Sequence, residues 1–272
     1  MQSMNHLAAL RRGDLKAAGQ GASLLARSQG VYQRAIARYS FRRPFVVKSG
    51  QPLISFTFDD FPSSALSIGG SILKSHGASG TYYASLGLLG RVTETGVMFR
   101  EKDLHCLIEQ GHELGCHTYG HCHAWNTPWA VFEESIRKNL NALQRLFPGA
   151  SLPTLSYPIS VPRAGNKEAA SKHFACCRSG GQTFNVGETD LNCLSAYFVE
   201  QGRDHPEQIF RMIEQTCRRG GWLIFATHDV AERPTPWGCT PELFEEVVRS
   251  SISSGACILP VFQAYETLMR RP

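Results

Sequence analysis

The chain has 272 residues, 42% of them hydrophobic and 19% charged, a balance that excludes wholesale disorder and suits one large domain with a buried core. No run of 18 apolar residues occurs, so no membrane-spanning helix is expected. The net charge of +5 is uneven: residues 1–50 hold nine Lys or Arg against the single acid Asp14, and residues 51–272 hold nineteen against twenty-two acids.

The opening residues MQSMNHLAALRRGDLKAAGQ place their basic residues after a short apolar patch and contain no continuous apolar segment. They do not read as a secretory leader, and a cytoplasmic location is the expectation. The basic lead-in has no zinc-finger spacing, no RNP-like aromatics and no long basic helix, so no nucleic-acid partner is expected. Residues 22–39 carry Leu24, Leu25, Val31, Tyr32, Ala35, Ile36 and Tyr39 in a helical stripe interrupted by Gly30, which predicts a helix packed outside the main domain.

LISFTF at 53–58 is the first buried strand. SALSIGGSILKSHG predicts a helix stopped at Gly77, and the apolar run after it a second strand. EKDLHCLIEQG predicts a short helix ending at Gly111, and HELGCH a third strand. Thr127 and Pro128 are expected as cap and first residue of a helix with Val131, Phe132, Ile136, Leu140, Leu143 and Phe147 on one face. TLSYP, FACCR and CLSAYFV read as further strands, PEQIFRMIEQTCRRGG as a helix closed by glycines, WLIFATH as a buried strand, TPELFEEVVRSSISSG as a capped helix and ACILP as a last strand. This alternation predicts an α/β fold of parallel βα units over residues 51–272, preceded by a basic, partly helical extension over 1–50. The nine cysteines are odd in number, scattered and without a CxxC pair, and read as reduced thiols.

Asp59, Asp60, His117 and His228 all fall at the carboxyl ends of predicted strands, where parallel sheets and barrels gather their sites. Two adjacent carboxylates raise each other's pKa unless a cation compensates them. His117 and His121 are four apart, so a helical turn after the strand would aim both rings at one ion. With Asp60 they form an O, N, N set that leaves positions open, as a catalytic zinc requires, and such an ion lowers the pKa of bound water from about 15.7 toward roughly 7. Asp59 is then placed to take that water's proton. Cys116 and Cys122 flank the histidines but diverge from them in direction. His228 is the candidate proton donor, with Asp190, or less favourably Asp229, as the carboxylate holding its other nitrogen.

TFDD, HTYGH, SYP and FATHDV, in this order, resemble the motifs of the polysaccharide deacetylase family, the NodB-homology or carbohydrate esterase family 4 proteins, over roughly Leu53 to Pro260. The resemblance implies a distorted (β/α) barrel of about seven parallel strands and hydrolysis of the N-acetyl group of an amino sugar, oligosaccharide or polysaccharide. It also implies one divalent ion, zinc or else cobalt or nickel, on Asp60, His117 and His121, with Asp59 as base and His228 as acid. Tyr157 and Pro158 would line the groove, with the Tyr157 backbone N–H facing the oxyanion, and Leu223 and Phe225 would receive the acetyl methyl. Two departures stand out. Ser156 lies near the place of the family's motif-three arginine, so that Arg163 or another group must serve Asp59, and Phe61 stands where many members have glycine. The same residues would serve an amidase acting on a non-sugar C–N bond. A non-catalytic carbohydrate-binding descendant and a protein with a purely structural, closed metal site are the other readings. A carbohydrate is the expected partner, and the missing leader favours a cytoplasmic oligosaccharide, a lipid-linked precursor or a small amino sugar derivative.

Overall fold

The computed structural model describes residues 36–48, 50–159 and 161–270. The predicted helical stripe lies outside them except for residues 36–39, which are helical. The chain divides into Met1–Ser40 and Phe41–Pro272, and the architecture below is that of the second unit.

Its strands are β1 (Pro44–Val47), β2 (Leu53–Phe58), β3 (Thr81–Ala84), β4 (Val92–Thr93), β5 (Gly96–Val97), β6 (Glu113–Cys116), β7 (Thr154–Ser156), β8 (Cys176–Arg178), β9 (Gly187–Asp190), β10 (Tyr197–Phe198), β11 (Trp222–Thr227) and β12 (Cys257–Ile258). The main sheet runs β10-β11-β2-β3-β6-β7-β8, with β12 also paired to β2. Every pairing in it is parallel. The seven-strand path bears out the expected α/β architecture. The irregular segment before β10 spans the gap between the edge strands: Ser179 N–H donates to the Leu194 carbonyl and Leu194 N–H to that of Cys177.

The helices are α1 (Ser71–Ser75), continuing a wider turn over Ala65–Gly70, then α2 (Glu101–Glu109), α3 (Trp129–Leu146), α4 (Ala164–Ser171), α5 (Pro206–Arg219), α6 (Pro241–Ser253) and α7 (Val261–Met269). Gly220 ends α5 in the left-handed conformation as expected, and the Thr240 hydroxyl caps α6 by accepting from Leu243 N–H. At α3 the expectation shifts by one residue, because Pro128 precedes the first helical turn and no side chain caps it. Val131 is 54% exposed, while Ser135 and Asn139 are buried in its place. The antiparallel pair β1-β9 and the hairpin β4-β5 have no counterpart in the sequence reading.

Strand alternation sorts the core into two layers. Ile54, Phe56, Phe58, Leu223 and Phe225 join the helix residues Phe132, Ile136, Ile209, Ile213 and Phe244 in the larger apolar cluster outside the sheet. There Phe56 stacks on Phe225 at 5.5 Å and meets Phe244 edge-on at 5.6 Å, each buried ring contributing about 1.5–3 kcal/mol. The opposite face carries Leu53, Cys176, Trp222, Ile224 and Ala226 with Val261, Ala264 and Leu268 of α7. Helix α7 is docked from below, where Val261 N–H donates to the Thr81 hydroxyl and Phe262 N–H to the Glu113 carboxyl at 2.7 Å.

Candidate metal centre and active site

Asp60 follows β2, and His117 and His121 follow β6, so the parallel β2-β3-β6 order brings them to one end of the sheet. Asp60 Oδ1 lies 3.0 Å from His121 Nε2 and 3.4 Å from His117 Nε2. One ligand atom from each of the three residues lies within 4.8 Å of the others. His117 Nδ1 faces the Ser156 carbonyl at 2.8 Å. A carbonyl only accepts, so Nδ1 carries the proton and Nε2 presents its lone pair toward Asp60. Asp60 Oδ2 accepts from the Thr95 hydroxyl at 3.0 Å, while buried Oδ1 receives no hydrogen bond of good geometry. Burial would push the Asp60 carboxyl up, yet the two facing histidine rings hold it well below the usual range. A buried carboxylate oxygen beside two imidazole nitrogens, one of them oriented by a carbonyl, fits a divalent cation.

His117 and His121 meet through a tight turn, which corrects the expected helical one. Thr118 (φ 58°) and His121 (φ 52°) are left-handed, and Cys122 N–H closes the turn on the Thr118 hydroxyl at 2.9 Å. Asp60 (φ 62°), Phe61 (φ 60°) and Ile159 (φ 69°) share this conformation, so five of the seven described non-glycine residues with positive φ lie in the loops around the centre. Each costs of order 1–2 kcal/mol. Phe61 bears the cost through its buried ring, stacked on Phe99 at 4.8 Å and set 5.0 Å from Tyr82. Cys116 faces away, its sulfur taking up Asn139 Nδ2 at 3.3 Å, and neither it nor Cys122 belongs to the ligand cluster.

Asp59 forms an ion pair with Arg178, which stands at the end of β8. Arg178 is the functional residue the sequence reading missed. Arg163, suggested for this place, begins α4 and lies over the Trp125 ring at 5.9 Å. Arg178 is 1% exposed and stacks over Tyr83 at 5.0 Å. Tyr83 in turn packs one edge of its ring against Gly115, where a Cβ would fall 2.4 Å from the ring. Burial pushes the Asp59 carboxyl up, and the Arg178 guanidinium beside it, with the His117 and His228 rings, outweighs that push and leaves the group below its ordinary value.

His228 follows β11 on the same side as Asp59. Its Nδ1 faces the Trp237 carbonyl at 3.2 Å, and no hydrogen bond or ion pair joins it to Asp190 among the described residues. Asp190 ends β9, where its carboxylate meets Lys167 Nζ at 2.5 Å and accepts from the backbone N–H groups of Arg43 and Asn192, each at 3.0 Å. The structure thus removes Asp190 from the surroundings of His228, since pairing with β1 carries it elsewhere. Asp229 accepts from Thr235 N–H at 2.9 Å and from its hydroxyl at 2.5 Å, holding the loop that follows His228.

Three groove assignments are also corrected. Leu223 and Phe225 fall on the helix-facing side of β11, whereas Trp222, Ile224 and Ala226 share the side of His228. The two-residue period of a strand already implied this parity. Tyr157 N–H donates to the Arg178 carbonyl at 3.0 Å and is not free for an oxyanion. The buried Tyr157 hydroxyl donates to the Asn192 carbonyl at 3.1 Å, and the Pro158 carbonyl accepts from Ala124 N–H at 3.2 Å. The first N–H of this loop without a partner among the described residues is that of Ile159.

Residues 47–173 match the family described as polysaccharide deacetylase, which bears out the resemblance read from the motifs. The structure is similar to the chitin deacetylase of the fungal pathogen Colletotrichum lindemuthianum, at 17% identity and TM-score 0.58 over 80% of this chain and 89% of that one. It is similar to the Xyl-CE4 domain of a multidomain xylanase from the hindgut metagenome of Trinervitermes trinervoides, at 16% identity and TM-score 0.57 over 82% and 94%. BA3943, a CE4 family pseudoenzyme from Bacillus anthracis, is similar at 12% identity and TM-score 0.54 over 79% and 66%. At these identities the likeness is one of fold. No curated protein matches the chain. No helix among the described residues is long and apolar enough to cross a membrane.

Proposed function

We propose that this chain, whose residues 47–173 match the polysaccharide deacetylase family, is a metal-dependent hydrolase that removes the acetyl group from an N-acetylated amino sugar or its oligomers. The observation that carries the reading is the juxtaposition of two units: the Asp60, His117 and His121 cluster, and beside it Asp59 paired to Arg178. Base and ligands are separate residues with separate partners, as a hydrolytic centre needs and a purely structural metal site does not.

Asp60, His117 and His121 would hold one divalent ion, of which zinc suits the O, N, N donors. Bound there, the ion supplies Lewis acidity toward the amide carbonyl and acidifies water. Asp59, ionised and oriented by Arg178, accepts the proton of the attacking water. The Ile159 N–H stands in for the occupied Tyr157 N–H as oxyanion donor. His228, with Nδ1 on the Trp237 carbonyl, delivers a proton from Nε2 to the departing amine, which an amide requires because an amine anion leaves poorly.

The test is acetate release from a panel of N-acetylated oligosaccharides by protein stripped with chelator and reloaded with zinc, cobalt or nickel. Wild type should release acetate only when loaded. Asp59→Asn should retain the ion by elemental analysis and lose most turnover, whereas His117→Ala with His121→Ala should lose the ion. Full occupancy with no acetate released from any substrate would instead support a non-catalytic carbohydrate-binding protein.

A further inference from the structure

Among the described residues no carboxylate bonds His228 Nδ1; its ring is aimed by the Trp237 peptide carbonyl in the loop that follows, and Arg203 is the group that fixes that carbonyl. The loop runs from Asp229 to Cys239, between β11 and α6. Trp237, whose carbonyl faces Nδ1 at 3.2 Å, also accepts from His228 N–H at 3.3 Å, although the residue is 38% exposed. Arg203 Nη2 reaches in from the turn before α5 and donates to the carbonyls of Thr235 at 3.2 Å, Pro236 at 3.5 Å and Gly238. Those three carbonyls bracket Trp237 in sequence. From the inner side Asp229 holds Thr235, and Gly238 packs so tightly on Asp229 that a Cβ there would fall 2.1 Å from Oδ1.

We infer that Arg203 is a positioning residue for His228: by gathering the carbonyls on both sides of Trp237 it holds the Trp237 carbonyl against Nδ1, so that Nδ1 keeps a proton and Nε2 is the nitrogen presented to substrate. A peptide with its neighbours' carbonyls drawn toward one guanidinium cannot flip without losing these bonds. The fixed carbonyl selects the ring's tautomer, the task a carboxylate performs in other acid–base pairs. The inference rests on the reading of His228 as the proton donor.

Two measurements separate the inference from that reading. In chelator-treated protein labelled with 15N-histidine, long-range 1H–15N spectra, with His228 assigned through His228→Gln, should show its neutral ring as the Nδ1–H tautomer. In Arg203→Met the same ring should become a mixture of tautomers, with Arg203→Lys between the two. On an N-acetyl sugar amide, Arg203→Met should lower kcat about tenfold, or about 1.4 kcal/mol, with metal content unchanged, while an activated ester of the same sugar, whose leaving group needs little protonation, should lose far less. An Nε2–H tautomer in the wild type, an unchanged tautomer in both variants, or equal losses on amide and ester would overturn the inference. If Arg203→Met does not fold, the wild-type spectrum and Arg203→Lys still decide it. Undiminished amide turnover in His228→Gln would defeat the reading of His228 as the acid, and the tautomer spectra would still report on Arg203.

Discussion

Replacing Arg178 with Met removes the guanidinium that holds Asp59 while keeping most of the side chain's length and its packing over Tyr83. The pair is almost wholly buried, with side-chain exposures of 1% for Arg178 and 6% for Asp59, so solvent screening does little to soften the loss. Stranding one member of such a pair costs about 3–5 kcal/mol. The cost depends on pH because it falls on the ionised carboxyl. In the wild type, burial pushes the Asp59 carboxyl up, and Arg178, His117 and His228 together bring it below its ordinary value. A depressed carboxyl contributes stability that is present above its unfolded pKa and is lost as pH falls through the folded one. Removing Arg178 leaves burial less opposed, so the carboxyl rises and takes up a proton in mild acid, which relieves part of the penalty. Urea unfolding of chelator-treated wild type and Arg178→Met should therefore show a destabilisation of about 3–5 kcal/mol at pH 8 that shrinks clearly at pH 5. On the proposed reading of Asp59 as the base, the acid limb of kcat/KM in metal-loaded protein should move to higher pH, because Asp59 must first lose the proton it has gained. Arg178→Lys should restore much of the stability and little of the rate, since an ammonium keeps the charge without the planar fork. A destabilisation of equal size at both pH values, with the acid limb unmoved, would refute the argument that Arg178 acts by keeping Asp59 ionised.

Two further outcomes follow from the packing inside the curl of the sheet. Gly115→Ala should push Tyr83 off the strand, since the new Cβ would sit 2.4 Å from the ring, and through Tyr83 it should displace Arg178. The expected result is a destabilisation of about 1–3 kcal/mol with turnover falling while metal content holds, and normal turnover in a folded variant would break that chain of contacts. Glu113 is held up to about 7 by burial, against the hydrogen bonds it accepts from Phe262 N–H and the Thr154 and Thr81 hydroxyls. Between its ordinary value and about 7 the folded chain binds a proton that the unfolded chain has released, so this group makes stability fall as pH rises across that window and then level off. Glu113→Gln should remove this part of the decline in urea midpoints between pH 5 and 8, and an unaltered slope would show that Glu113 does not titrate there.

What the sequence determined by itself is what lies close along the chain. LISFTF and the WLIFAT of WLIFATH are predominantly apolar runs, as strands buried on both faces require, and both are 6-residue strands with every residue buried. Asp59 with Asp60, and His117 with His121, are short-range pairs whose chemistry is visible before any folding, and the parallel alternation of elements already put them at the carboxyl ends of strands. The tertiary structure decided the partners. Arg178 lies 119 residues from Asp59 and looks, in FACCR, like any charge at the end of a strand; only the curling of the sheet brings β8 across to β2. Antiparallel pairing of β9 with β1 takes Asp190 away from His228, and the Trp237 carbonyl, a group every residue possesses, carries no signature in a sequence. Local pattern encodes which element forms and which way its side chains alternate, because those follow from backbone period and burial. Which buried charge meets which is set by sheet order and loop closure, and the desolvation cost of an unpaired charge selects the arrangement in which Asp59 finds Arg178.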